Sequence, residues 1–193
     1  MKKTSFNYLK EKYSLSDIDI QIIEHGIEIF LSDGANILTA IVVSCLTSNF
    51  YKGFIYIVTF SSLRIHSGGW HSATKSQCFI SYQIVFSAML ILSTFSFPSI
   101  LLTTVYTIAV IYTIINAPVE HIYNPLSDQE RRKNRLAALK SLLSVSCLFV
   151  FLLINKSEHV FTICFAVAWN AICMRLLKRS KYWREHGNKV CNS

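Results

Sequence analysis

Hydrophobic positions in this chain fall in long runs, and the polar positions between them are few and clustered. Ser16 or Asp17 can cap a first helix, which carries Ile18, Ile22, Ile29 and Leu31 into an apolar run near residues 27–48. Further runs lie near 52–65, 78–95, 99–117, 139–155 and 159–177, the second of them short. A bilayer-spanning helix needs roughly 17–25 predominantly apolar residues, and most of these runs are of that order. Pro98 after Phe97 and Pro118 after Ala117 mark the breaks around the fourth run, because proline cannot continue a helix. Before the first run, Lys2, Lys3, Lys10 and Lys12 alternate with Phe6, Leu9 and Tyr13 over residues 1–16. Such a segment can lie on an anionic leaflet, each cation contributing about 1 kcal/mol near the surface. The pattern predicts an all-α membrane protein, a polytopic bundle of about six transmembrane helices with an N-terminal amphipathic helix. The first run is impure: Glu28, Asp33 and Asn36 lie in it, and acids inside a span usually face protein or a wet cavity.

Composition sharpens this picture. Only 16% of the 193 residues are charged, against roughly 25% in a soluble domain. The expectation is one integral membrane domain over 1–193, with no second soluble domain and no signal peptide in the polar first 26 residues. Charge also predicts orientation. Seventeen of the nineteen Lys and Arg fall in the N-terminal segment, the 64–78 stretch, the stretch from 118 to 140, and the C-terminal tail. The opposite loops hold Lys52 and Lys156 alone. Cytoplasmic loops carry the excess of Lys and Arg, so both termini, the 64–78 stretch and the basic 118–138 loop are expected on the cytoplasmic side of the cell membrane. The six Cys do not suggest a disulfide scaffold, which is short, loop-rich and secreted. Cys45, Cys147, Cys164 and Cys173 sit in apolar runs, where a thiol behaves as a small hydrophobe, and Cys191 lies in the polar tail.

The sixth, Cys78, ends a polar island that begins at Arg64: Arg-Ile-His-Ser-Gly-Gly-Trp-His-Ser-Ala-Thr-Lys-Ser-Gln-Cys. A free thiol is mostly protonated at neutral pH, and nucleophilic work needs a nearby base or a stabilised thiolate. Thr74-x-x-Gln77 has the form of a capping box, so a helix is expected from about Thr74 with Cys78 in its first turns. Unpaired N–H groups and the positive end of the helix dipole favour a thiolate there. His71 is seven residues earlier; on one unbroken helix it would sit about 10 Å from Cys78. Gly68 and Gly69 offer the backbone freedom to fold His71 back over the helix start. A zinc site from His66, His71, Cys78 and His121 is the competing reading, but zinc sites usually show closer ligand pairs. Neither His-Glu-x-x-His nor Gly-x-Ser-x-Gly occurs in the chain.

The pattern Arg64-x4-Gly69-x-His71-x6-Cys78 resembles the signature loop of the AgrB family, the accessory gene regulator protein B of Gram-positive quorum sensing. Asn116-Ala-Pro118-Val-Glu-His-Ile-Tyr-Asn-Pro125-Leu126 and the basic run after it also resemble that family, as do the length, the helix count and the basic start. Trp70 fits the slot the family keeps between Gly and His. The resemblance implies a membrane cysteine endopeptidase that matures a short precursor peptide into a cyclic autoinducer. His71 and Cys78 map onto its catalytic pair, with Gly68, Gly69 and Arg64 shaping the loop. Glu28 or Asp33 is nominated as a carboxylate that orients His71. The implied partners are a precursor with an amphipathic leader and an acidic tail, the lipid bilayer and a second copy of the chain. Lys75, Arg131, Arg132, Lys133 and Arg135 are candidates to hold the acidic tail. No cofactor, metal or nucleic acid is expected. The other class of function is a peptide exporter or scaffold without proteolytic activity.

The orientation is directly testable. An impermeant thiol reagent applied to intact cells should miss single-Cys variants at positions 68–76 and reach one near Lys156. Labelling of the island from outside would reverse the orientation.

Overall fold

The computed structural model describes the backbone of residues 17–68, 75–119 and 127–190; side chains before Phe30 are described in part, and those beyond Arg179 are outside the description. Six helices and no strand occupy these residues: α1 (Asp17–Leu46), α2 (Phe50–Ser67), α3 (Lys75–Leu92), α4 (Ser99–Asn116), α5 (Asp128–Ile154) and α6 (Val160–Val190). The expected amphipathic segment at 1–16 lies outside the described residues. The chain forms two compact units, 1–39 and 40–193, and α1 runs through the boundary. Within the first unit, α1 exposes Phe30, Leu31 and the acid Asp33.

In the second unit α6 is the spine, packing against α4, α2 and α5, while α2 also packs against α5 and α3. Leu63 of α2, Tyr106 and Ala109 of α4, Leu142, Val145 and Phe149 of α5, and Ile163 and Val167 of α6 form the main core. Tyr106 stacks on Phe149 with ring centroids 3.7 Å apart, and its hydroxyl pairs with Ser146 Oγ at 2.8 Å. Between helices in lipid, close packing and hydrogen bonding replace the exclusion of water as the associating force. Small residues set the approach of α2 to the end of α1. A Cβ on Gly53 would collide with the Ser44 side chain and come within 3.3 Å of the Phe86 ring.

Among the described residues, three helices are long and apolar enough to cross a bilayer: α4, α5, and α6 over Val160–Arg179. Two shorter apolar stretches, Phe30–Leu46 and Ser76–Leu92, lie in α1 and α3. The fold is therefore the expected all-α membrane protein, with fewer strongly lipophilic spans than the runs suggested. α2 departs most, and the reason is its position. It buries Tyr56, Thr59 and Ser67, facing protein on several sides, so its sequence need not match hydrocarbon. At 18 residues it is about 27 Å long, close to the ~30 Å of a bilayer core.

Two boundaries differ from the sequence expectation. The basic stretch of 118–138 is not all loop, because α5 starts at Asp128. Ser127 Oγ accepts from the Glu130 amide at 3.3 Å, and the Glu130 carboxylate accepts from the Ser127 amide at 2.9 Å, a reciprocal cap that begins the helix at Asp128, well before the apolar run. The basic tail is likewise helical, since α6 continues to Val190. At the other end of the bundle, Lys52 pairs with Glu158 at 3.2 Å.

Gly53→Val should lower the thermal midpoint of the detergent-solubilised protein, because forced overpacking costs about 1–3 kcal/mol. Leu143→Val, at an exposed position on α5, should leave it within about 0.5 kcal/mol of wild type.

Candidate active site

The site is built on the last turn of α2. That turn holds Arg64, His66 and Ser67, and Gly68 follows as its C-cap. Two neighbours hold this end in place. The Ser67 hydroxyl, fully buried, donates to Asn170 Oδ1 and accepts from Asn170 Nδ2, each at 3.2 Å, and Asn170 on α6 is itself fully buried. The Ser67 carbonyl accepts from the Val119 amide at 2.9 Å. Gly68 has φ 72 and ψ −179, a conformation open to glycine almost alone. A Cβ there would run into the Val119 carbonyl oxygen. The sequence reading took Gly68 as a source of freedom; in the folded chain it is a site of close contact. Lys178 of α6 adds a third tie at this end, donating to Asn116 Oδ1 at the end of α4 at 2.9 Å.

Cys78 lies at the other end of the island, on α3. α3 begins at Lys75, one residue after Thr74, so Cys78 is the fourth residue of the helix. It is half-exposed, outside any disulfide, and lies in the first turn of the helix. Spacing by four places Tyr56, Phe60 and Arg64 along one face of α2, and Cys78, Tyr82 and Phe86 along one face of α3. The two faces meet antiparallel. Tyr56 lies 5.6 Å from Phe86 between ring centroids and 6.4 Å from Tyr82, and Phe60 lies 6.1 Å from Tyr82. The next step of this ladder sets Arg64 opposite the Cys78 end of α3. The Arg64 guanidinium lies 5.5 Å from the Phe60 ring centroid, a cation–π contact that holds it along the helix.

Cys173, read as a small hydrophobe in an apolar run, is indeed buried on α6. The pair of four-residue ladders on α2 and α3 is the signal in the sequence that brings Arg64 and Cys78 to one end of the bundle. Cys164 also keeps the expected character: it is buried, and its thiol donates to the Leu102 carbonyl at 3.3 Å.

The remaining predicted positions divide as follows. His71, Gly69 and Trp70 lie outside the described residues, as do His121 and the Lys75 side chain. Arg131, Arg132, Lys133 and Arg135 are exposed on the first two turns of α5, a helix start rather than a loop. Asp33 is exposed on α1, in the other compact unit, and the Glu28 side chain is outside the description. His66 is half-buried on α2, and among the described residues no three His, Cys, Asp or Glu gather as metal ligands.

The arrangement can be compared with known proteins. The family model described as accessory gene regulator B matches residues 2–174, nearly the whole chain. AgrB-like protein 1 of Clostridium perfringens (strain 13 / Type A), whose name is itself given by likeness, is 23% identical over 185 residues, covering 95% of this chain and 96% of that protein. No solved structure matches the chain.

The close contact at Gly68 yields a stability test. Gly68→Ala should destabilise the protein by about 1–3 kcal/mol, the usual cost of forcing a side chain into such a backbone conformation. Gly34→Ala in α1, where an added Cβ meets nothing within 4 Å, should be neutral or stabilising. Thermal unfolding in detergent reads both; equal effects would remove the special status of Gly68.

Proposed function

The chain belongs to the accessory gene regulator B family, a membrane protein with a role in the accessory gene regulator quorum-sensing system, and from that premise we propose that it is a cysteine endopeptidase that trims and cyclises a short precursor peptide. The observation that carries this reading is the place of Cys78: a half-exposed thiol in the first turn of α3, at the end of the bundle where Arg64 lies. A thiol so placed can reach a peptide carbonyl, provided a base takes its proton.

In this mechanism His71 takes the Cys78 proton, and the sulfur attacks the precursor carbonyl on the N-terminal side of the acidic tail. The tetrahedral intermediate collapses with cleavage of the C–N bond. His71 returns the proton to the departing amine, so the tail leaves with a free amino terminus and the leader half remains as a thioester on Cys78. A Cys thiol or Ser hydroxyl within the precursor then attacks that thioester. The C–S bond to Cys78 breaks, the ring closes as a thiolactone or lactone, and the enzyme thiol is restored. Exchange of an amide for a thioester is uphill, so removal of the tail draws the sequence forward. A site at the membrane face limits hydrolysis of the thioester by water.

The partners follow from the same reading. The amphipathic leader would rest on the bilayer, and Arg131, Arg132, Lys133 and Arg135 on the first turns of α5 would hold the acidic tail, with Lys75 beside the nucleophile. The site would face the cytoplasm, two copies of the chain would associate, and no cofactor would take part. Support for the peptide contact is the exposure of the α5 cations at a helix start.

Precursor cleavage in membranes, read by mass, tests the pair. Cys78→Ala and His71→Ala should each abolish cleavage and ring formation, and the double variant should be no worse than either, because residues that act as a unit are not additive. Removal of Cys45, Cys147, Cys164, Cys173 or Cys191 should leave cleavage largely intact. Full cleavage by Cys78→Ala protein would move the nucleophile elsewhere, and peptide export without any cleavage by the wild type would favour a transporter.

A further inference from the structure

Lys140 on α5 and Arg175 on α6 are cations on helix faces that otherwise suit lipid. On α5 the inward face is fixed by Ala138, Leu142, Val145 and Phe149, all buried. Lys140 is exposed on the opposite side, in one stripe with the exposed Leu136 and Leu143. On α6, Arg175 shares the exposed stripe of Ile172 and Leu176, while Cys173, Met174 and Leu177 are buried. Depth along the helix decides what surrounds these charges. The turn between α5 and α6 carries Lys156 and Glu158, so the polar boundary at that end lies close to Ile154 and Val160. Lys140 is fourteen residues from Ile154, about 21 Å along the helix, and Arg175 is fifteen from Val160, about 23 Å. A hydrocarbon core about 30 Å thick extends past both. Arg131, Arg132 and Lys133 begin beyond that depth, where water and a peptide can reach them. The two deeper cations stand nearly level, since Met174, next to Arg175, packs in one cluster with Ala138, two residues from Lys140.

We propose that Lys140 and Arg175 bind the headgroup phosphates of anionic phospholipids in the leaflet at the Ser67 end of the bundle. A charge inside a span usually faces protein and finds its partner there, as Lys178 does on Asn116. Lys140 and Arg175 face outward instead, and among the described residues no acid pairs with either. Their long stems lie along apolar surface while the charged tips extend toward the headgroups. The exposed leucines and isoleucine beside them suit acyl chains, whereas an acidic peptide would have to leave water to reach this depth. A zwitterionic headgroup carries its own ammonium beside the phosphate; an anionic one leaves the phosphate charge for the protein. This site goes beyond the peptidase reading and does not rest on it.

Native mass spectrometry of the full chain, released from nanodiscs of mixed phosphatidylglycerol and phosphatidylcholine, counts the lipid that stays bound. The wild type should keep phosphatidylglycerol in excess over its share of the nanodisc. Lys140→Gln and Arg175→Gln should each lower that preference about fivefold, the effect of one cation at a charged leaflet. Lys140→Arg should retain it, because the charge remains to meet the phosphate. Lys156→Gln removes the same charge from the turn at the other end and should lower the preference less. Buried Cys164 reports folding by its protection from a thiol reagent. If Lys140→Gln exposes it, Lys140→Leu, which continues the apolar stripe of Leu136 and Leu143, takes its place with the same expected loss. An unchanged preference in the Lys140 and Arg175 variants would overturn the proposal. An equal loss in Lys156→Gln would do so too, by showing an effect of net charge alone. Displacement of phosphatidylglycerol by soluble poly-glutamate would give these cations to an acidic peptide instead. No precursor is present in this assay, so its outcome is separate from that of the Cys78→Ala cleavage test.

Discussion

The buried bond between Ser67 and Asn170 is the constraint on which the rest of the site depends. Both residues are fully buried, where a polar group left unpaired is costly. Their partnership therefore sets both the depth and the rotation of α2 against α6. Once that rotation is set, Phe60 lies under Arg64 and Gly68 presses against Val119. A helix turned by one residue would bury a different side chain against Asn170 and leave the Gly68 contact unmet.

The same fastening joins two stretches that are far apart in sequence. The polar island leaves α2 at Gly68, and the segment leading toward the basic start of α5 leaves α4 at Ala117. The Val119 amide on the Ser67 carbonyl ties their entrances together. Lys178 on Asn116 ties the spine helix to the same end. The thiol, the guanidinium and the exposed cations of α5 thus belong to one end of the bundle, while Lys52 and Glu158 pair at the other. Segregation of charge of this kind follows from lipid, which leaves the polar residues only the two ends and the protein interior.

The interior is used sparingly. α2 accepts Thr59 and Ser67 on its buried face because α3, α5 and α6 stand around it. α4 and α5, more open to lipid, bury few of their residues and are apolar over most of their length. The helix least fitted to lipid thus carries buried polar side chains where neighbouring helices can satisfy them.

The linear pattern determined the fold class, the breaks between helices and the charged ends. In hydrocarbon a chain must satisfy its own backbone, so an apolar run of sufficient length has little choice but to be a helix. The start of α3 near Thr74 was legible for a similar local reason, and the Ser127-x-x-Glu130 box was equally available to show that α5 begins before its apolar run. What no local pattern could decide was the face each helix turns inward. Thiols in apolar runs look alike in sequence, yet Cys164 is buried and donates a hydrogen bond to the Leu102 carbonyl while Cys147 is exposed on α5. The pairing of Ser67 with Asn170 is likewise a contact between α2 and α6 across more than a hundred residues that exists only once the bundle has closed.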